Sequence, residues 1–206
     1  MAISSYTELQ AAVADWLNRS DLTATIPNFI ALAEAQINRD ERLHGTAGVT
    51  RDTLTVDSQF TDLPADYLKF VSVNISGDRV RTLQCVTTYE IDDILQGEAS
   101  GIPRAYAVNG TELEVAPVPS ESTTFEVSYQ AKLPALSVTP TNWLLTSHPD
   151  IYLYATLMQT APYLHEDERV AVWASMYDKC CNDFERAEAI KRFSASPLKT
   201  RKRSIG

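Results

Sequence analysis

The apolar residues of this chain change period twice. Between Tyr6 and Ile37 they recur at helical spacing, between Leu54 and Tyr129 they alternate, and from Ile151 to Ala187 they return to helical spacing. A strand buries every second residue and a helix a stripe that recurs every 3.6. Helices therefore lie at both ends of the chain with strands between them, which excludes an all-β chain and a regular alternation of strand and helix.

The first helical stretch opens on Ser5-Tyr6-Thr7-Glu8, a capping-box pattern in which Ser5 and Glu8 each satisfy an orphan amide. Tyr6, Leu9, Val13, Trp16 and Leu17 then share one face. Pro27 suits the first turn of a second helix, where a missing N–H costs nothing. Ile26, Phe29, Ile30, Ala33 and Ile37 form its apolar stripe. Glu34, Asn38, Asp40 and Glu41 form the opposite, polar face, and Gly45 is the expected stop.

In the middle, Leu54 and Val56 alternate with Thr53 and Thr55, Val71, Val73 and Ile75 with Ser72 and Asn74, and Phe125, Val127 and Tyr129 with Glu126 and Ser128. Asn109-Gly110 predicts a type I′ hairpin turn, because both central residues need positive φ. That turn places Tyr106 opposite Leu113, on one face with Val108 and Val115. A short helix is expected over residues 88–96.

Helices return after Trp143. Ser147 is expected to cap a helix, with Asp150 on its orphan amides. Residues 151–161 are apolar on nearly every side and predict a buried helix, which Pro162 should end or kink. A last helix over about 166–191 repeats Val170, Trp173, Tyr177, Cys180, Phe184 and Ala187 at 3-4-3-4-3 spacing. The fold class expected is α+β: an antiparallel helical bundle from residues 1–45 and 146–190, a small antiparallel β domain inserted over 46–145, and an extended basic arm over 191–206.

Charge separates the arm from the rest. Six of the eighteen Lys and Arg lie among the last sixteen residues, which hold no acid; the other 190 residues carry twelve bases against 27 acids, a net charge of −15. An acidic body argues against a globular DNA-binding domain. The 44% hydrophobic content supplies a core and argues against disorder of the whole chain.

Catalytic signatures are sparse. His44, His148 and His165 are scattered, and no His-Glu-x-x-His, Cys-x-x-Cys, Gly-x-Gly-x-x-Gly or Gly-x-Ser-x-Gly spacing occurs. Asp92-Asp93 and Glu166-Asp167-Glu168 read as solvated acids. Neither a metal nor another cofactor is expected. The three cysteines have no framework spacing, the N-terminus has no signal-peptide pattern, and the longest apolar run falls short of the ~20 residues that span a bilayer.

The tail combines Arg192, Lys199, Arg201, Lys202 and Arg203 with Phe193 and Leu198, around Ser194-Ala195-Ser196-Pro197. Charges that steer and apolar side chains that anchor suit an arm docking on an acidic partner surface. The alternative is an accessory protein binding nucleic acid through the tail, with salt-sensitive affinity.

The order of several segments resembles tailed-bacteriophage head-to-tail adaptor proteins. They are Tyr6-Thr7-Glu8-Leu9-Gln10 with Ala14-Asp15-Trp16-Leu17-Asn18-Arg19, then Ile26-Pro27-Asn28-Phe29-Ile30, then Leu63-Pro64-Ala65-Asp66-Tyr67, then Pro140-Thr141-Asn142-Trp143-Leu144-Leu145, and finally the block from Pro149 to Leu164. The resemblance implies a connector without catalytic activity, assembled in the host cytoplasm and located in the virion neck. There it forms a homo-oligomeric ring, a dodecamer, beneath the portal protein, extends the channel for passing genomic DNA and offers a platform to tail or nozzle proteins. No membrane is involved. On this reading Arg192, Phe193, Leu198, Lys199, Arg201, Lys202 and Arg203 dock on the portal.

Overall fold

The computed structural model describes residues 3–77, 81–164 and 167–193. The chain is mixed α+β and divides into two compact units, Met1–Ala47 with Leu133–Gly206, and Gly48–Lys132.

The first unit contains α1 (Tyr6–Leu17), α2 (Ile26–Arg39), α4 (Trp143–Ser147), α5 (Pro149–Leu164) and α6 (Asp167–Phe193), with a 3-10 turn at Glu41–Leu43; α3 belongs to the other unit. Ser5 caps α1 by accepting from the Glu8 amide. The Glu8 carboxylate, however, turns to the amide and hydroxyl of Ser4, both at 2.7 Å, so the capping box is displaced by one residue on that side. Asn18, at φ 51°, ends α1 in the left-handed conformation, and the Arg19 amide reaches back to Ala14 O.

Pro27 lies in the first turn of α2 as expected. The helix stops at Arg39, well before Gly45, because the Asp40 backbone turns extended and its carboxylate accepts from the Arg42 amide to start the 3-10 turn.

Helix α5 is the centre of this unit. Ile151, Tyr152, Leu153, Ala155, Thr156, Leu157, Thr160 and Ala161 are all buried, and α1, α2, α4 and α6 pack around it. Its two buried threonine hydroxyls stay satisfied by donating to carbonyls of the same helix, Thr156 to Tyr152 O and Thr160 to Leu157 O. Pro162 does not end α5, which continues to Leu164. So near the terminus a missing N–H forfeits one bond of the last turn. Ser147 is the last residue of α4, which Asn142 caps, and not the cap of α5.

The buried stripe of α6 is Trp173, Tyr177, Cys181, Phe184 and Glu188, not the expected set through Cys180 and Ala187. A straight helix keeps 3.6 residues per turn, so a strict 3-4 repeat drifts off its face within a few turns. The stripe shifts by one residue, and an acid replaces an alanine at its end.

Among its described residues, the second unit holds α3 (Thr88–Gly97) and ten strands: β1 (Val49–Val56), β2 (Phe60–Asp62), β3 (Tyr67–Ile75), β4 (Arg81–Thr82), β5 (Gln84–Cys85), β6 (Ser100–Gly101), β7 (Ala105–Asn109), β8 (Glu112–Ala116), β9 (Val118–Pro119) and β10 (Thr123–Ala131). One sheet has the order β1-β10-β3-β4, a second β2-β8-β7-β5, and β6 pairs with β9. Val56, Val73, Phe125, Val127 and Tyr129 from the first share a core with Tyr106, Leu113 and Val115 from the second. The other face of β7 and β8 presents Ala105, Ala107 and Ala116 to Ile91 of α3. Small side chains there let the helix lie close to the sheet.

Three expectations change in this unit. The unit is not wholly antiparallel: β5 pairs with β7 and β6 with β9 in parallel. Helix α3 joins β5 to β7, and such a crossover returns the chain in the same direction. The hairpin turn lies one residue later than expected. Asn109 pairs with Glu112, so Gly110 and Thr111 form the loop and only Gly110 takes positive φ, +62°. Tyr106 then faces Val115 and Val108 faces Leu113. This two-residue register change leaves every side chain on its expected face. Finally, Val71 is the extra residue of a bulge between the Ser128–Ser72 and Tyr129–Phe70 pairs. Val71 is exposed, and Phe70 packs against the core in its place.

Phe125 is fully buried on the strand flanked by β1 and β3. Phe125→Ala should destabilise the β unit by about 3–5 kcal/mol, read as a fall in urea midpoint at unchanged slope.

Candidate docking site

Helix α6 carries its backbone through Phe193, so Lys191, Arg192 and Phe193 are helical where an extended arm was expected to begin. The side chains of Arg192 and Phe193, and all of Leu198, Lys199, Arg201, Lys202 and Arg203, lie outside the described residues, as does His165. The docking site is therefore built from its base, the last turns of α6.

Glu188 organises that base. It is 5% exposed, and its Oε2 accepts from the amide and the hydroxyl of Thr46, both at 2.6 Å, while Oε1 accepts from Lys191 Nζ at 2.7 Å. Burial pushes this carboxyl up, but the Lys191 ammonium and the two Thr46 donors outweigh it and hold it at about 2. Gly45 closes the contact. A Cβ at that position would lie 2.7 Å from Phe184 Cζ and 2.9 Å from Glu188 Oε2. Glycine is thus required here for close approach, not to stop a helix.

Further back along α6, a second polar cluster joins the same two segments. Arg42 holds Asp40 through two bonds, Nε at 3.0 Å and Nη2 at 2.7 Å, and reaches Asp178 and Asn182 on α6. Tyr177 donates to Asp40 at 3.1 Å. Burial raises the Asp40 carboxyl, and its bonds from Arg42 and Tyr177 bring it below its ordinary range. The segment from Asp40 to Thr46 is thereby fastened along α6 from Tyr177 to Lys191.

The polar face of α2 is likewise occupied by contacts to distant backbone. Asn38 Oδ1 accepts the Leu133 amide at 2.9 Å, and Glu34 Oε1 accepts the Leu136 amide at 2.7 Å. Burial raises the Glu34 carboxyl, and the Leu136 amide opposes that. These two residues hold the chain where it re-enters the helical unit.

The residue types that carry chemistry are dispersed. His44 Nε2 is 3.4 Å from Asn38 O, and the His148 ring meets Phe184 edge-on at 5.0 Å. Asp92 and Asp93 are exposed on α3, and Cys85 is exposed on β5. Burial first, then the Asp150 carboxylate, pushes the Cys180 thiol up to about 12; burial pushes Cys181 up to about 11. Such thiols are poor nucleophiles at neutral pH. Among the described residues, no group of three or more His, Cys, Asp or Glu is placed to hold a metal ion. An open polar depression on the outer face of β1, β10 and β3 is lined by Arg51, Thr53, Ser72, Asn74, Glu126 and Ser128, none of them paired as nucleophile and base. Within the described residues no helix is long and apolar enough to cross a membrane.

Glu188 was not legible as a buried residue, since the apolar spacing puts Ala187 on the core face. The signal available was Gly45, whose role differs from the helix stop expected of it.

Glu188→Ala removes the charged acceptor of the Thr46 amide and hydroxyl and should cost about 1.5–3 kcal/mol in chemical denaturation. Because Glu188 ionises more readily folded than unfolded, its contribution is complete above its ordinary value of 4.5 and is lost as pH falls towards 2. The variant's stability should therefore fall less steeply over that interval than the wild type's. Gly45→Ala overfills the same contact and should cost about 1–3 kcal/mol.

A family model described as SU10 adaptor protein matches residues 4–201. No curated protein gives a match.

Proposed function

This chain belongs to the SU10 adaptor protein family of phage head-to-tail adaptors, and from that premise we propose that it is a structural connector of the virion neck, assembled in the host cytoplasm and without catalytic activity. Its helical unit acts as an antiparallel bundle that forms the body of a ring, a dodecamer, beneath the portal protein. The ring's far side offers the platform for tail or nozzle proteins, and genomic DNA passes through the centre.

The observation that carries this reading is the family match over nearly the whole chain, 4–201, which includes both units and most of the tail. The charge split supports it. A body of net charge −15 repels phosphates, so DNA slides past a wall of that sign instead of adhering. The tail, opposite in sign, is free of that duty and serves as the portal clamp through Arg192, Phe193, Leu198, Lys199, Arg201, Lys202 and Arg203. The Glu188–Thr46–Lys191 contact also supports a clamp, because an arm transmits force only when its root is held.

A chain ending at Phe193 keeps Lys191 on Glu188 and tests the clamp without disturbing its base. The truncated protein should keep the wild-type circular dichroism and melting temperature, yet lose most of its assembly onto purified portal rings viewed by electron microscopy. Unchanged assembly would remove Leu198, Lys199, Arg201, Lys202 and Arg203 from the portal contact. The basic tail also favours a second reading, nucleic-acid binding. That reading requires DNA affinity that falls steeply between 50 and 200 mM salt, on the order of tenfold or more, and that vanishes in the same truncation.

A further inference from the structure

Helix α6 carries a second seam, on the side away from its buried stripe. Val172, Met176, Lys179, Asp183, Arg186 and Ile190 follow one another at 4-3-4-3-4 spacing, the a/d repeat of a helix that packs on another helix. All six are exposed, and the apolar ones markedly so: Val172 is 56%, Met176 41% and Ile190 69% exposed. Within the seam, the ion pair from Arg186 to Asp183 is long, at 3.8 Å.

The seam is symmetric about residue 181: its positions lie nine, five and two residues to either side. We propose that it is a self-association surface, through which two copies of this chain pair by antiparallel packing of α6 on α6.

In that arrangement each a position meets a d position of the other copy, as antiparallel helix pairs require. Val172 meets Ile190 at both ends. Met176 lies along the aliphatic stem of Arg186. Lys179 meets Asp183 in the two central layers, giving two ion pairs related by the twofold axis. The parallel alternative sets Lys179 on Lys179, Asp183 on Asp183 and Arg186 on Arg186, three repulsive layers. The charges thus select both the occupant, a second copy, and its direction. A partner of one sign would meet both a match and a clash along the same seam.

The seam spans roughly 27 Å, at 1.5 Å per residue from 172 to 190. A single helix pair of that length buries on the order of 1,000 Å², at the low end of specific interfaces. The pair is therefore weak and reversible, with a dissociation constant on the order of 10 μM. An isologous contact closes at two copies, whereas a ring needs a head-to-tail contact between different faces. Pairing takes the outer face of α6 out of use and limits itself. This inference does not depend on the adaptor reading.

Sedimentation velocity of the full-length protein over about 1–200 μM should show a concentration-dependent monomer–dimer equilibrium. Lys179→Glu and Asp183→Lys should each weaken it at least tenfold, while circular dichroism and melting confirm that each variant folds. An equimolar mixture of the two should regain dimers. In the mixed pair the glutamate introduced in one copy faces the lysine introduced in the other, and the native Asp183 and Lys179 face each other in the second central layer. The double variant K179E/D183K should dimerise alone. Mixing cannot repair an interaction within one helix, so recovery isolates the contact between chains. A wild-type monomer throughout the range, a dimer indifferent to the single changes, or a mixture that stays monomeric would each overturn the proposal. So would rings larger than a dimer that the single changes abolish and mixing does not restore.

Discussion

Burial of α5 is the constraint around which the helical unit is arranged. A helix apolar on one stripe needs one neighbour, but Ile151, Tyr152, Leu153, Ala155, Leu157 and Ala161 together encircle α5, so neighbours are needed on every side. Helices α1 and α2 come from one end of the sequence and α4 and α6 from the other. Covering α5 therefore brings the two ends of the chain into a single core, with the whole of Gly48–Lys132 leaving and returning between them.

Leaving and returning creates a backbone problem. Irregular segments that cross a packed unit bring amides that helices and sheets do not satisfy, and an unpaired buried amide costs about 1–3 kcal/mol. The helical unit answers with side chains. Asn38 and Glu34 take the Leu133 and Leu136 amides of the returning segment, and Glu188 takes the Thr46 amide of the departing one. The same Glu188 holds Lys191, so the departure point of the chain and the base of the basic tail share one carboxylate. If the tail is the clamp proposed above, the root of its grip is fastened to the packed helical unit.

On the readings proposed above, the opposite charges of body and tail and the mixed seam on α6 serve three kinds of contact on one small protein. Repulsion suits a surface that DNA passes, long-range attraction suits a tail that finds an acidic partner, and alternating charge with apolar ends suits recognition of self. Only the last depends on exact register, because it is read layer by layer along a helix.

Much of the fold was legible in the amino-acid sequence. The two changes of apolar period placed helices at the ends and strands between, the Pro27 start and the buried 151–161 segment stand as read, and the strand carrying Phe125, Val127 and Tyr129 faces the core. These features depend on residues near in sequence, where period and capping act directly. What the sequence did not determine are the matters of one or two residues: the displaced capping bond at Ser4, the loop at Gly110-Thr111, the bulge at Val71, and the shift of the α6 stripe onto Cys181 and Glu188. The purposes of Gly45, Glu34 and Asn38 were equally hidden, since the first looked like a helix stop and the others only like the polar face of a helix. Each depends on a partner far along the chain, Phe184 and Glu188 for the glycine and the returning backbone at 133–136 for the other two. Local chemistry decided which elements form. Only tertiary packing decided which polar groups lose their water, because that requires knowing what the distant chain lays against them.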